Sequence, residues 1–342
     1  MRKVGIRDVA KAAAVSVTTV SHALSDTHSA RVNAQTRAHI QQVAQELGYS
    51  PNKMASGLRN QRSNVLGLLS DEIATTPFAG EMLQGAQDAA YERGWLVMIL
   101  DSSMDAELEK HQLNTLLQHQ IDGLIYARMF HQEVVLPRAI GNTPTILLDA
   151  TSENNSYSSV VPDEEAAATT AVEALISAGH RNIGFINNRD DIPATQARLS
   201  GYQKTLLAHG IEPDSALVTE GPADALGGRE AALELLGGPT RPSAIFAFND
   251  RVAMGVYQAA AFLGLQIPKD LSVVGIDNLE IIAEELWPGL STVALPHYEM
   301  GSWAVGRLLD EIEGKAVPGS LHKKLECPLI ARESIAPPRR VA

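Results

Sequence analysis

Five polar residues lie at the ends of apolar runs or at the start of a helical stretch, and their side chains suit hydroxyl binding. They are Asp71, Asp149, Arg198, Asn249 and Asp277. A planar guanidinium donates hydrogen bonds and carboxylates accept them, so together they can hold neighbouring hydroxyls in a fixed pattern. Paired carboxylates such as Asp149 and Asp277 are equally compatible with acid/base hydrolysis of a sugar. Residue type alone leaves binding and catalysis open.

The segments that must position these residues alternate between short apolar strands and helices after residue 64. Strands are predicted over 65–69, 96–101, 123–126, 145–149, 183–187, 244–248 and 272–276. Helices are predicted over 81–93, 107–120, 164–178, 198–209, 228–236 and 250–263. This alternation indicates parallel sheets covered by helices on both faces, and the length favours two sheets. Ligands of such sheets bind at the carboxyl ends of strands, so two facing lobes would form a cleft.

The N-terminal segment has a different pattern, with apolar residues on two helical faces around a turn at 14–16. Two short helices sharing one small core in this way form a helix-turn-helix pattern. Ser16 is placed to cap the second helix, whose free amides can face a phosphate. A third helix is predicted from about Asn33 to Leu47, with Leu47 buried and Gly48 ending it. The alternative is three small helices of an ordinary globular protein.

Charge supports the DNA-binding interpretation. Residues 1–64 contain nine Lys/Arg and three Asp/Glu, a net of +6, whereas the whole chain carries −12 and the remainder therefore −18. A basic excess confined to the segment with the helix-turn-helix pattern is typical of a nucleic-acid-binding module. The residues predicted to reach bases or phosphates in this segment are Ser16, Val17, Thr18, Thr19, Ser21, His22, Asn33 and Tyr49.

The chain resembles the LacI/GalR family of bacterial transcription regulators over nearly all of its 342 residues. The motifs that carry the resemblance, in order, are IRDVAKAAAVSVTTVSHAL, VNAQTRAHIQQVAQELGYSPNKMASGL, QRSNVLGLL, DGLI (122–125), GHRNIGFI (179–186), ARLSGY (197–202), FNDRVAMGV (248–256) and VVGIDN (273–278). Their order and spacing together are far more specific than any one of them. The resemblance implies an N-terminal all-α helix-turn-helix DNA-binding domain and an α/β periplasmic-binding-protein-like core of two doubly wound parallel-sheet lobes.

Domain boundaries follow from this resemblance and from the strand pattern. The DNA-binding domain is expected over 1–49, a hinge helix or linker over 50–62, and the effector-binding and dimerisation core over 63–342. Within the core, the N-lobe is expected to comprise about 63–161 plus 292–321. The C-lobe is expected to comprise about 162–291 plus 322–337, so that three segments cross between the lobes.

The resemblance gives the segment 51–59 the role of a hinge helix that forms on operator DNA and inserts a leucine into the minor groove. Leu58 matches that leucine, and Asn52, Ala55 and Leu58 share a helical face at spacing three. With Lys53, these residues complete the predicted DNA-binding set. Gly57 disfavours the helix by up to about 1 kcal/mol, consistent with folding only on DNA. The alternative is a linker that never becomes helical.

By the same resemblance, Arg198, Asn249 and Asp277 form the polar clamp on a small-molecule effector, with Asp149 facing them from the other lobe. Alternatives remain open: Asn249 and Asp277 would only cap the following helix or turn, and Arg198 would form an interlobe salt bridge. Asp250 is interpreted as a cap. Apolar cleft walls are expected from aromatic residues, with core packing as their alternative role. These candidates are Phe78, Trp287 and Phe248.

Departures from the family pattern narrow the choice of effector class. Leu295 stands where relatives often have a glutamine, which removes one hydrogen bond to the ligand. Ile192 stands where purine-responsive relatives have a second basic residue, which weakens the nucleobase interpretation. A carbohydrate is therefore the first choice, and a nucleobase, nucleoside or sugar phosphate the alternative. His22 replaces a common arginine, so operator preference at that base pair is expected to differ.

The sequence therefore predicts a homodimeric repressor of carbohydrate-utilisation genes that binds a pseudo-palindromic operator and is neither an enzyme nor dependent on a cofactor or metal. Two rival classes are an exported sugar-binding protein, which should carry a signal peptide, and a glycosidase. Cys327 is the sole cysteine, and no apolar run approaches eighteen residues, so a cytoplasmic protein is expected. The C-terminal APPRRVA contains no leucine heptad that would support a tetramer.

Overall fold

The computed structural model describes residues 4–24, 31–49 and 62–339. The predicted hinge residues Asn52, Lys53, Ala55 and Leu58 lie outside these ranges. Contacts divide the chain into two compact units, residues 1–63 and 64–342.

The first unit contains three helices, α1 (Ile6–Ala12), α2 (Val17–Ala23) and α3 (Ala34–Glu46), packed around one small core. Val9, Val20 and Ile40 are fully buried in that core. Ala14 adopts a left-handed φ of 53°, which turns the chain between α1 and α2. The prediction that Leu47 is buried was wrong, since it is 38% exposed. Leu47 is the C-cap residue of α3, one residue beyond the helix end, and it is not among the residues of the small core.

The second unit contains two six-stranded sheets. The N-lobe sheet is formed by β1 (Val65–Ser70), β2 (Leu96–Asp101), β3 (Gly123–Glu133), β4 (Thr145–Thr151), β5 (Ser158–Pro162) and β11 (His322–Leu325). Its strand order is β11-β5-β4-β3-β1-β2, and every pairing is parallel. Its helices are α4 (Ala79–Glu92), α5 (Ala106–Gln118) and α11 (His297–Ile312). The central strands are buried along nearly their whole length, as expected for a sheet with helices on both faces.

The C-lobe sheet is formed by β6 (Ile183–Asn188), β7 (Val218–Gly221), β8 (Ala244–Ala247), β9 (Ser272–Asp277), β10 (Ser291–Ala294) and β12 (Leu329–Ile330). Its order is β12-β10-β9-β8-β6-β7, and β12 alone among these strands is antiparallel to its neighbour. The accompanying helices are α6 (Glu164–Ser177), α7 (Pro193–Ala208), α8 (Ala225–Gly237), α9 (Asp250–Phe262) and α10 (Glu280–Ala283). Side-chain caps fix where several of these helices begin, for example Asp163 on α6 and Asp224 on α8.

Strand pairing contradicts two of the expected lobe boundaries. The stretch 292–294 was assigned to the N-lobe, but β10 pairs with β9 in the C-lobe sheet. The stretch 322–325 was assigned to the C-lobe, but β11 pairs with β5 in the N-lobe sheet. The crossings therefore follow β10 and β11 instead of preceding them. Short, isolated strands carry too little sequence pattern to show which sheet they join.

Helix α11 was absent from the sequence prediction although it packs its apolar face into the N-lobe core. Two glycines, Gly301 and Gly306, obscure its helical pattern. Gly301 has a packing reason: a Cβ there would lie 2.0 Å from the carbonyl oxygen of Met82 on α4. Gly85 on α4 faces the carbonyl oxygen of Tyr298 in the same way. The two helices thus approach each other through backbone contact.

Among the helices of the described residues, none is long and apolar enough to cross a membrane.

Candidate functional site

The five polar residues predicted from the sequence all lie at the carboxyl ends of strands or at the beginning of a helix. Asp71 follows β1, Asp149 lies near the end of β4, and Asp277 ends β9. Asn249 follows β8, and Arg198 lies in the second turn of α7. Asp149 and Asp277 have left-handed φ values of 52° and 119°. Such strained backbone is retained where the surrounding structure requires a particular side-chain direction.

Arg198 is the centre of this cluster. It is 3% exposed, donates from Nε to Glu164 Oε2 at 2.7 Å and from Nη1 to the Phe248 carbonyl oxygen at 2.5 Å. Its guanidinium also lies over the Phe248 ring, 4.3 Å from the centroid. Phe248 therefore supports the arginine instead of forming an open cleft wall. Both partners belong to the C-lobe, so the alternative of an interlobe salt bridge was wrong.

Asp149 faces this arginine from the N-lobe. Burial raises the pKa of Asp149 well above its ordinary value, Glu164 raises it further, and Arg198 opposes the shift. The carboxyl is 4% exposed, and its Oδ1 has no hydrogen-bond partner among the described residues. Asp277 also raises the pKa of Asp149, so the two carboxyls lie within electrostatic range across the lobes. Burial likewise raises the pKa of Asp277, opposed by Arg198.

Two histidines of the same region were missed by the sequence analysis. His297, in the first turn of α11, stacks on Phe78 with ring centroids 4.3 Å apart and an angle of 9°. It is 2% exposed, and neither ring nitrogen has a partner among the described residues. Burial and the nearby charge of Arg198 lower the pKa of His297 to about 4. His131 on β3 is also neutralised by burial, which lowers its pKa, and its Nδ1 is similarly unpartnered.

These unpartnered atoms are candidate ligand contacts, because buried polar atoms without a partner are rare in folded proteins. The sequence signal that could have found His297 is its position directly after Leu295 and Pro296, just beyond the C-lobe strand β10. Phe78 is half-buried and stacks on the His297 ring.

Asp71 has a different environment on the N-lobe side. Its carboxylate accepts hydrogen bonds from the Met129 amide and Gln132 Nε2, both at 3.1 Å, and lies 3.7 Å from Arg128 Nε. Arg128 also donates to Glu109 Oε2 at 3.0 Å. Burial raises the pKa of Asp71, and Arg128 opposes this. Asp71 therefore holds the irregular part of β3 in place beside the cleft.

Asn249 caps helix α9, and Asp250, which was expected to act as a cap, has a different role. Asn249 caps α9, since its Oδ1 accepts from the Val252 amide at 2.8 Å. Asp250, which was interpreted as the cap, is fully buried and accepts from Thr292 Oγ1 at 2.6 Å and from the Leu279 amide at 2.8 Å. The interpretation of Asp250 was wrong because its side chain points into the sheet. It ties β10 to the segment that follows Asp277.

Asp250 should make stability depend on pH. Burial raises its pKa to about 7, against hydrogen bonds that lower it. A raised folded-state pKa contributes stability at low pH that is lost as the pH rises through about 7. We therefore expect the wild type to lose stability relative to Asp250→Asn between about pH 4 and 7 and to change little above that. Urea unfolding of both proteins across this range checks it, and parallel pH profiles would contradict it.

Trp287 does not join the cluster. It is 91% exposed, in the loop after α10, so the expectation that it lines the cleft was wrong. Ile192 packs against the C-lobe core before α7. A cavity of about 960 Å³ lies beside the crossing segments, with Asp277, Leu295 and Cys327 in its wall. Arg198 and Asp149 are not among the residues that line it.

The residues of the first unit that the sequence predicts to contact DNA lie mostly around α2. Ser16 caps this helix, its Oγ accepting from the Thr19 amide at 3.0 Å, and Val17 is 41% exposed. Asn33 caps α3 by accepting from the Thr36 amide. A hollow of about 350 Å³ is lined by Ser16, Thr18, Thr19, His22, Arg31, Val32, Asn33 and Thr36. Ser21 and Tyr49 are half-buried, and burial raises the pKa of Tyr49.

Comparison with known protein families matches both units of the chain. Residues 5–52 match the model for bacterial regulatory proteins of the lacI family. Residues 172–335 match the model for the periplasmic binding protein-like domain.

Individual relatives extend the match over nearly the whole chain. The chain is 32% identical over 330 residues to the HTH-type transcriptional repressor CytR of Escherichia coli strain K12, covering 96% of this chain and 95% of that protein. It is 31% identical over 335 residues to the ribose operon repressor of Haemophilus influenzae, covering 96% and 98%.

Solved structures of transcription regulators show the same similarity. The lac repressor dimer bound to operator and the anti-inducer ONPF superposes with a TM-score of 0.81 at 26% identity, covering 98% of this chain and all of that one. The complex of the transcriptional regulator CelR with cellobiose gives 0.69 at 27% identity, covering 97% and 100%. The helix-turn-helix unit, the two parallel-sheet lobes and these similarities show that the chain belongs to the lacI family of bacterial regulatory proteins and is a DNA-binding transcriptional repressor, not an enzyme.

Proposed function

We propose that operator binding by this repressor is controlled by a polyhydroxylated small molecule, a carbohydrate as first choice, held between the two lobes. The observation that carries the proposal is the buried polar cluster around Arg198. Asp149, Asp277 and His297 surround the arginine from both lobes, and Asp149 Oδ1 and both His297 nitrogens lack partners among the described residues. A hydroxylated ligand supplies both donors and acceptors to such atoms.

The burial of the cluster bears on how a ligand would enter. Arg198 is 3% and Asp149 4% exposed, so the lobes must separate for a ligand to reach them. Helix α7 of the C-lobe contacts β3 of the N-lobe, which places one lobe contact next to the cluster. Ligand binding and lobe closure are therefore proposed to be coupled. The effect on DNA can only equal the ligand's difference in affinity between the two lobe arrangements.

For DNA, we propose that the outer face of α2, with Val17, Thr18 and Ser21, reads base edges in the major groove. His22 is proposed to contribute less to phosphate or guanine binding than an arginine would, since histidine is shorter and lacks the planar guanidinium that pairs with two acceptors at once. Leu58 and its neighbours Asn52, Lys53 and Ala55 remain sequence-based candidates for minor-groove contact. The symmetric operator that this implies is a pseudo-palindrome with half-sites about one helical turn apart.

We further propose a homodimer formed partly through the C-lobe. Leu226 on α8, Ile281 on α10 and Trp287 are 55%, 69% and 91% exposed, and α9 contacts both helices. Large exposed apolar side chains on neighbouring elements are typical of a protein interface. Trp287 thus suits a second copy of the chain better than a ligand cleft. The operator-bound structural neighbour is itself described as a dimer.

A ligand screen tests the effector proposal. Full-length protein with ribose, glucose, cellobiose, uridine, adenine or hypoxanthine should show a raised melting temperature with one class, because a ligand that binds the folded state stabilises it by mass action. The same compound should change operator affinity in a competition titration. Asp277→Asn should weaken both responses, whereas Glu212→Gln, an exposed loop substitution, should not. A compound that binds equally well to the Asp277→Asn protein would place the effector elsewhere.

A further inference from the structure

We infer that the ligand of the cluster around Arg198 is uncharged and that phosphorylated forms of the same compound are rejected, because both buried arginines of the cleft are already neutralised by carboxylates. This inference rests on the proposed function, that is, on a ligand binding between the lobes. It excludes the sugar phosphates that the sequence alone left open.

The positive charge of the first arginine, Arg198, is already balanced by a buried carboxylate. Arg198 Nε lies 2.7 Å from Glu164 Oε2, and the two side chains are 4% and 6% exposed. In such a desolvated pair the carboxylate cancels most of the field that a phosphate would experience. Nη2 of Arg198 donates to none of the described residues, so the arginine keeps a hydrogen-bond donor for a neutral oxygen.

The second arginine is neutralised in the same manner. Arg128 is 9% exposed and lies 3.0 Å from Glu109 and 3.7 Å from Asp71. It also donates to Tyr126 Oη at 2.6 Å and to the Ala127 carbonyl oxygen at 3.2 Å. Its guanidinium is therefore held by its own lobe and does not offer the free bidentate edge that phosphate recognition uses.

Within the buried ion pairs of this region, carboxylates outnumber arginines, and the charges of Arg251 and Lys324 reach Asp277 and His131 from outside these pairs. Two arginines face three partner carboxylates, namely Glu164, Glu109 and Asp71. Asp149 and Asp277 add negative charge whenever they ionise. Burial lowers the pKa of His131 and His297, so neither ring supplies a positive charge at neutral pH. A phosphate would add between about −1.5 and −2 charges to this buried region.

The hydrogen-bonding atoms favour the same conclusion. A neutral imidazole presents one N–H donor and one acceptor nitrogen, and both nitrogens of His297 are unpartnered within the described chain. A hydroxyl can satisfy either nitrogen, since it both donates and accepts. A dianionic phosphate only accepts, so it could pair with the N–H of the neutral His297 ring but would leave the acceptor nitrogen of that ring without a partner. Unsatisfied buried acceptors cost binding free energy.

Matched pairs of compounds test the inference directly. Ribose with ribose 5-phosphate, glucose with glucose 6-phosphate, and uridine with uridine monophosphate differ only in the phosphate. Titration calorimetry of the full-length protein should show binding of one neutral member and at least roughly 100-fold weaker binding of its phosphorylated partner, as expected when like charges are brought together. Tighter binding of a phosphorylated member would overturn the inference while leaving the proposed ligand site intact.

Inorganic phosphate provides a second test of the inference, one that needs no identified ligand. At constant ionic strength, phosphate should not raise the melting temperature of the wild type in a way that is both saturable and dependent on Arg198. Glu164→Gln, which removes the neutralising charge and keeps an acceptor for Arg198, should gain such a rise. Glu165→Gln is the matched control, since Glu165 is next in sequence but pairs with the exposed Lys204.

The outcomes of this test are distinct. A saturable phosphate effect in the wild type that Arg198→Ala abolishes would overturn the inference. Absence of the effect in the wild type and its appearance in Glu164→Gln would support it. Failure of every neutral compound to change operator affinity would instead count against the proposed function.

Discussion

Arg198→Ala is expected to abolish the response of operator binding to ligand and to lower the free energy of unfolding by about 3–5 kcal/mol. The loss of response follows because the charge of Arg198 acts on both Asp149 and Asp277, the carboxyls proposed to bind the ligand. The loss of stability follows because Glu164, 5% exposed, would remain buried without its partner. Urea unfolding measures the second effect, and operator titration with and without ligand measures the first.

The two effects can be separated. Combining Arg198→Met with Glu164→Gln removes both buried charges, so stability should return towards that of the wild type while the ligand response stays absent. Lys204→Ala is the matched control. The Lys204–Glu165 pair joins the same two helices, α7 and α6, but its side chains are 65% and 41% exposed, so its removal should change stability little. An unchanged ligand dose–response in Arg198→Ala would remove this residue from the site.

Gly301→Ala is expected to destabilise the N-lobe by about 3 kcal/mol or more, although it adds one methyl group. The added Cβ would lie 2.0 Å from the Met82 carbonyl oxygen and 2.9 Å from the Ala86 amide nitrogen of α4. Backbone atoms cannot rotate away as a flexible side chain can, so the helices must separate. That separation would expose the apolar core between α4 and α11. Thermal and urea unfolding of the full-length protein check this effect.

The same helix supplies the control for this substitution. Gly306 also lies in α11, but a Cβ there meets nothing within 4 Å. Gly306→Ala should therefore be neutral or stabilising by about 0.5–1 kcal/mol, since alanine loses less backbone entropy in a helix. Equal effects of the two substitutions would show that helix propensity, and not the close approach of α4, decides the behaviour of Gly301.

The sequence by itself determined the features that depend on neighbouring residues. Ser16 was recognisable as a helix cap because a cap is formed within three residues of its own helix. The strands β1, β6 and β9 were recognisable from continuous apolar runs. Asp71 and Asp277 followed from their positions at strand ends. The motif order then implied the family, which the relatives confirmed.

Only the tertiary structure decided what lies together across long stretches of chain. Glu164 meets Arg198, and Phe78 meets His297, through strand order and helix packing that no local period encodes. For the same reason the sequence misplaced Trp287 in the cleft and assigned β10 and β11 to the wrong lobes. A helix or strand pattern fixes which face of an element is apolar, but the partner of that face is set by burial in the complete fold.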